Sequence, residues 1–526
     1  DSTKLPSFVI AIFFGLAGHG LLQPIVEKQE VLGVLVGFGA TLILFSGGLE
    51  TPFANFKKLF WKIFSLSFPG LLATALLLSL SVAVLGTWFH VSISLLVAVL
   101  LGAVLASTDP AAIIPILKRL RFKNRDTKDL IISESAVTDV TGTLLTVAFL
   151  GLMISGVVLG SVTDWYGAIF SAESGIILAK QLAFGIIFGV VGYGFLEILK
   201  KFKQSHEQEF EADSAFFLFI PIIIFTLALS FGGSGYLAAF IAGLLFSLTE
   251  KLHETERFFN HLIDGFFKPT IFILLGSLVN PQELLSYAGV GIAAAIVFMG
   301  IIRPFTVFLT LGGFSFFGKN RFSWRELVFI SFIRETGAIP AVLLVTVVSF
   351  GLPGMDGLVP IGMWVILLTL IVEPILTPWA ATTLKVAEPI SDTKKVQLGE
   401  APLVVLVTRG RSFIDRLPYV VTWASNHSIK RVFVMLCLEQ KYTPELSAEI
   451  EAEAKKTFAK MNAEREKAGD APLEFEFISR TGLLQDNIDA LSKEHTNVTT
   501  IFVGRKMLDY RFNEIKQLLV PLHFMD

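Results

Sequence analysis

Long apolar runs separated by short polar stretches dominate the chain as far as about residue 385. A run of about twenty apolar residues crosses ~30 Å of hydrocarbon as a helix. Twelve such runs stand at 6–26, 31–50, 64–88, 93–117, 129–157, 174–200, 214–231, 234–249, 258–279, 286–311, 325–349 and 357–383. From about residue 390 the pattern changes. Short strand-like runs appear at Leu403–Val407, Val432–Leu436, Phe475–Ile478 and Thr500–Val503, with helical stretches between them, including Pro444–Lys467. Strand–helix alternation predicts a small parallel α/β domain. The expected division is a transmembrane domain over 1–387, a polar linker over 388–400 and a cytosolic α/β domain over 401–526.

Basic residues fall in every second connection: Lys57, Lys58 and Lys62; Lys118 to Lys128; Lys200, Lys201 and Lys203; Lys251 and Arg257; Lys319, Arg321 and Arg325. Lys28 is the exception in the intervening loops. By the positive-inside rule these loops and the C-terminal tail are cytoplasmic. The first residue is Asp, and the opening run lacks the layout of a cleaved signal peptide. The expectation is a trimmed start: with twelve runs the N-terminus as given is cytoplasmic, and one further helix upstream, a thirteenth, would place the true N-terminus outside.

Composition agrees with a polytopic α-helical membrane protein: 53% apolar, 49 Phe, 17% charged and a mean hydropathy of +0.68. The net charge of −2 argues against a nucleic-acid partner. A single cysteine, Cys437, excludes an intramolecular disulfide and a cysteine-based metal cluster.

The expensive residues carry the chemistry. A charged side chain at mid-membrane costs roughly 2.5–3.5 kcal/mol on the insertion scale. Asp139 lies ten residues into the fifth run, ~15 Å along a helix. Ser135 and Asp139 are four apart and share a face; Glu134 and Thr138 share the adjacent one. An oxygen-rich patch of this kind suits a hard monovalent cation. The bland alternative is a carboxylate hydrogen-bonded for helix packing. In the fourth run, Pro110 after Thr108-Asp109 disfavours helix and frees backbone groups, as in the broken helices of transporters; the alternative is an ordinary proline kink. The eleventh run, with Arg334-Glu335-Thr336-Gly337 before Pro340, is interrupted likewise. Two interrupted helices in opposite orientation point to inverted repeats. Arg303 in the tenth run needs a carboxylate, Glu134 being the favoured partner. Arg334 competes for that carboxylate. Glu373 in the last run is auxiliary, pairing with Arg334 or adding negative potential. His19 reads as a packed helix residue.

These residues together resemble the monovalent cation/proton antiporter superfamily, sodium/proton exchanger branch. The resemblance rests on Thr108-Asp109-Pro110, Glu134-Ser135 with Asp139, Gly233–Gly243, Arg303-Pro304 and Arg334–Ala338. It implies a homodimer in the lipid bilayer of the cell membrane (a bacterial inner membrane), with a moving core of runs three to five and ten to twelve. It implies cation ligation by Asp139, Asp109, Ser135 and the Thr108 backbone, the metal being Na+ on Asp139 and Asp109. It also implies a structural Glu134–Arg303 pair. Where electroneutral members commonly carry Asn and electrogenic ones Asp, this chain has Thr138, which leaves ion selectivity open.

The C-terminal domain resembles the universal stress protein fold through Gly482–Ile488 and Ile501–Gly504. Its phosphate-binding pattern is missing, since Arg505-Lys506-Met507-Leu508 follow. A regulatory or docking role is therefore expected ahead of a nucleotide or other small-molecule regulator.

The expected function is exchange of a monovalent cation, Na+ favoured, for H+. Exchange would be electroneutral at one to one by an elevator-like core movement, with no enzyme activity and no cofactor. K+/H+ exchange and a ligand-gated K+ efflux system are the alternatives, because an oxygen-only ligand set does not choose between these ions.

Overall fold

The computed structural model describes residues 6–51, 53–108, 114–118, 120–206, 213–247, 259–317, 322–333, 336–389, 403–408, 416–427, 429–438, 444–467, 470, 472–481, 498–504 and 522–525. The chain forms two compact units, Asp1–Pro389 and Ile390–Asp526.

The first unit is helical. It begins with α1 (Ser7–Ala17), α2 (His19–Val26), α3 (Gln29–Glu50), α4 (Phe53–Ser65), α5 (Leu71–Trp88), α6 (Leu95–Leu105) and α7 (Ile114–Lys118). A short strand β1 (Leu120–Phe122) leads to α8 (Arg125–Ile154), α9 (Val162–Ile169), α10 (Ala172–His206), α11 (Asp213–Ser230) and α12 (Gly235–Phe246). Then come α13 (Lys268–Ser277), α14 (Pro281–Ser286), α15 (Ala288–Val297), α16 (Arg303–Phe317), α17 (Trp324–Phe332), α18 (Ala338–Ser349), α19 (Leu358–Thr383) and β2 (Ala387–Pro389). Among the described residues six helices are long and apolar enough to cross a membrane, or seven if one bent pair counts as a span.

That bent pair is the run read as 6–26. It turns through 86° at Gly18 into α1 and α2. Periodicity cannot show a bend inside a run that stays apolar on both sides of it. Other departures are similar in kind. Lys57, Lys58 and Lys62 lie on α4, which a π-turn at Leu66–Gly70 joins to α5 as one span, Asn55–Trp88. Two more π-turns, Ile263–Phe267 and Phe298–Ile302, precede Pro269 and Pro304. Proline lacks an amide donor, so the hydrogen-bond ladder widens where it enters. Glu388 and Pro389, in the stretch read as linker, lie in β2, which pairs antiparallel with β1.

Two runs are broken inside the unit. The fourth ends as helix at Leu105, with Ala106–Thr108 non-helical before α7 begins at Ile114. The eleventh ends at Phe332 and resumes at Ala338. The continuous helices beside them are α8 and α19. In α19, 72% of the apolar window is buried, against 17% in α10, which marks α19 as central and α10 as peripheral.

The second unit holds a five-stranded sheet in the order β5-β4-β3-β6-β7, with all neighbours parallel. The strands are β3 (Leu403–Thr408), β4 (Arg431–Leu438), β5 (Glu474–Thr481), β6 (Val498–Gly504) and β7 (Leu522–Met525). Helices α20 (Leu417–Asn426) and α21 (Pro444–Lys467) belong to the same unit, and its core gathers Val404, Leu406, Val421, Val434, Phe458 and Phe502. β3 is buried at every position, as a central parallel strand must be. β7 lacks a long apolar run and escapes a reading by pattern.

Candidate functional site

Helix α8 carries Glu134, Ser135, Thr138 and Asp139, four of the candidate residues. Asn124 caps its first turn, its side chain accepting from Asp126 N–H at 3.1 Å. Its basic-loop end is pinned from two sides. Asn55 Nδ2 donates to Asp129 Oδ2 (2.9 Å) and Lys58 Nζ pairs with Asp126 (2.5 Å). Thr127 Oγ1 donates to Glu326 Oε1 (3.0 Å), and Glu326 Oε2 closes a capping box on Ser323. The Ser323-Trp-Arg-Glu326 spacing announces that box in the sequence.

Three turns further on, the polar face of α8 meets the first break. Ser135 Oγ donates to the Thr108 carbonyl at 2.8 Å. Thr138 Oγ1 accepts from the Thr108 amide (3.2 Å), lies 2.8 Å from Thr108 Oγ1 and donates to Ser135 O (2.9 Å). The amide and carbonyl of Thr108 that the break releases are thus met by side chains, as burial demands. The close approach relies on Gly142, where a Cβ would stand 3.0 Å from Ser107 Cβ. Asp139 lies one turn beyond Ser135 and is buried, with 8% exposure. Its backbone carbonyl accepts from Thr143 Oγ1 at 2.7 Å.

Glu134, on the next face, takes Arg303: Nη2 to Oε2 is 2.7 Å, and the side chains are 2% and 3% exposed. Of the two arginines weighed for Glu134, Arg303 is the one the structure places there. The π-turn before α16 delivers it. Arg334, Glu335 and Asp109 lie outside the described residues. Glu373 is buried on α19, its carbonyl accepting from Thr377 Oγ1 at 2.6 Å. His19 Nδ1 is 2.7 Å from Ser277 O, joining the α1–α2 bend to the end of α13.

Sequence reasoning missed two residues. Thr336, in the second break, bonds to Thr369 on α19 through its amide (3.3 Å) and its hydroxyl (2.5 Å). The available signal was a threonine next to an acid at both breaks, Thr108-Asp109 and Glu335-Thr336.

Among the described residues no three His, Cys, Asp or Glu gather as a metal centre. What α8 and the described part of the first break bring to this region are the Asp139 carboxylate and the neutral hydroxyls of Ser135, Thr138 and Thr108. That donor set suits a weakly held monovalent cation or a proton, and does not suit a transition metal.

Residues 2–383 match the family model described as sodium/hydrogen exchanger, transmembrane. The chain is 29% identical over 396 residues to a K(+)/H(+) antiporter NhaP2 of Shewanella oneidensis, covering 74% of this chain and 64% of the relative. It is 30% identical over 351 residues to the protein of that name in Shewanella sp. strain MR-4, covering 66% and 57%. It is 25% identical over 362 residues to Na(+)/H(+) antiporter 1 of Methanocaldococcus jannaschii, covering 66% and 78%. The chain thus spans less than two thirds of the length of the NhaP2 relatives. In fold it is similar to the solved sodium proton antiporter MjNhaP1 of Methanocaldococcus jannaschii, with a TM-score of 0.57 and 23% identity, covering 71% of this chain and 93% of that one.

Proposed function

The chain belongs to the sodium/hydrogen exchanger transmembrane family, and from that premise we propose that it is a secondary active antiporter exchanging a monovalent cation for protons. The observation that carries the reading is the buried Asp139, one turn beyond Ser135 and next to Thr138, whose hydroxyls hold the broken helix at Thr108. Asp139 takes a cation or a proton and never both. Asp109 assists from the break, with Thr108 and Ser135 supplying neutral oxygens. Glu134 is structural, its charge answered by Arg303.

One exchanging carboxylate, with an uncharged Thr138 before it, supports electroneutral exchange at one cation per proton. Because a monovalent cation and a proton each bring one positive charge to Asp139, the charge of the loaded core is nearly the same with either passenger. An elevator-like movement against a dimer scaffold then meets a similar barrier with either passenger. The repeats that hold the two breaks are read as inverted, in a homodimer whose bilayer is the cell membrane.

Sodium is the first reading for the cation. Potassium is the second, favoured because relatives at 29–30% identity carry the name K(+)/H(+) antiporter. The C-terminal unit, with its parallel sheet, is proposed to be a cytosolic universal stress protein-like domain that regulates exchange.

Proteoliposomes carrying a pH gradient test the reading. Addition of Na+, K+ or Li+ in turn should release protons, and the concentrations for half-maximal release rank the ions. Asp139→Asn should abolish release by every ion while leaving the protein folded. Persistent cation-driven release from that variant would overturn the assignment of Asp139.

A further inference from the structure

The two breaks are held by the same device. In the first, the Thr108 amide and hydroxyl both reach the Thr138 hydroxyl of α8, at 3.2 and 2.8 Å. In the second, the Thr336 amide and hydroxyl both reach the Thr369 hydroxyl of α19, at 3.3 and 2.5 Å. Each helix threonine also approaches the carbonyl three residues before it, Ser135 O at 2.9 Å and Ile366 O at 3.0 Å. All four threonines are buried, none more than 5% exposed.

Counting protons shows what such a clasp does. A hydroxyl has one proton and accepts twice. With the helix threonine's proton on the nearer carbonyl of its own helix, it can accept both the amide and the hydroxyl proton of the threonine in the break. The hydroxyl of that second threonine is then an acceptor only, with its lone pairs turned away from α8 or α19. The break is held at two points and presents neutral oxygen in a low-dielectric interior.

The two clasps differ in their support. Ser135 adds a second hold on the first break by donating to the Thr108 carbonyl. The residue at the corresponding place before Thr369 is Ile366, which has no donor in its side chain. On α19 it is Thr369 that holds Thr336 of the second break, through both its amide and its hydroxyl. That break opens α18, whose helix packs against α6 and α8, the two helices of the cation site. A shift of Thr336 therefore acts on a helix that packs against the helix carrying Asp139.

We propose that Thr369 is a positioning residue for cation binding: through Thr336 it sets the second broken helix, as Thr138 through Thr108 sets the first. The proposal rests on the antiport reading given above. Three variants of the full chain in proteoliposomes test it. Thr369→Val removes the hydroxyl and keeps the shape. Thr369→Ser keeps the hydroxyl. Thr346→Val removes an ordinary hydroxyl on α18 that bonds to its own helix at Val342 O.

Thr369→Val should raise the cation concentration for half-maximal proton release about tenfold. Its maximal rate should fall much less, and its unfolding midpoint in detergent should stay near that of the wild type. Thr369→Ser should return half-saturation to within about twofold of the wild type, and Thr346→Val should leave it unchanged. Amide hydrogen exchange across 333–340 should rise in Thr369→Val and recover in Thr369→Ser.

Unchanged half-saturation in Thr369→Val would overturn the proposal. So would a loss of rate and stability that serine does not restore, since that marks packing in place of positioning. A wild type that releases no protons with any cation would overturn the antiport reading instead.

Discussion

The buried pair Glu134–Arg303 makes a quantitative test of how the core is held. At 2.7 Å and 2–3% side-chain exposure, the two charges face almost no solvent. At an effective dielectric of ~20 their attraction is roughly 6 kcal/mol. Against it stands the desolvation of both groups, several kcal/mol each. Glu134 Oε1 and Arg303 Nε add to that cost, being buried and without a hydrogen-bond partner among the described residues. The pair therefore contributes little net stability, yet losing one member leaves an uncompensated charge. Arg303→Met alone should destabilise the fold by about 3–5 kcal/mol, and Glu134→Met alone by about the same. The double variant should return to within ~1 kcal/mol of the parent or exceed it, because two apolar side chains of similar volume need no partner. Reversible SDS unfolding in mixed micelles, run as a double-mutant cycle, measures all four corners. Single variants costing under ~1 kcal/mol, as exposed pairs do, would refute the argument. A double variant worse than either single one would refute it equally.

Two further predictions concern the mouth of the site and the loops. Ser135→Ala removes the hydrogen bond to the Thr108 carbonyl and leaves the Thr138 clasp, so half-saturation by the cation should rise several-fold with little change in maximal rate, measured by proton release from liposomes. Glu283, on the short helix α14, has its carboxyl pushed above the ordinary range by desolvation and by Asp356, against a smaller opposing pull from His19. A raised carboxyl favours the fold while protonated and loses that advantage as pH rises through its folded pKa. Glu283→Gln should therefore gain stability relative to the parent as pH climbs from 4 towards 7, and a thermal-shift series showing the opposite slope would contradict this.

Much of the molecule was legible along the chain. The apolar runs mark α3, α5, α8, α16 and α19, because a helix in hydrocarbon must be greasy for its whole length. Pro110 and the Gly337–Pro340 stretch mark both breaks, because backbone sterics act locally. Asp139, Glu134 and Arg303 stand out because charge in a membrane is costly wherever it sits. The alternating runs after residue 400 likewise announce four of the five parallel strands.

Contacts between distant segments were not legible. The 86° turn at Gly18 follows from how α1 and α2 pack, and no local pattern encodes it. Which arginine answers Glu134 was open until α16 brought Arg303 alongside, 169 residues away. Thr138 shows the division most clearly. Along the chain it is a neutral residue standing where a charge or an amide is expected. In the fold its hydroxyl meets the amide and hydroxyl of Thr108, thirty residues off, and Thr369 repeats the arrangement at the second break. Local sterics and transfer free energy act on each residue where it stands, so the sequence alone determines spans, breaks and costly charges. Hydrogen bonds between segments depend on tertiary packing, and that packing decided which hydroxyl holds which break.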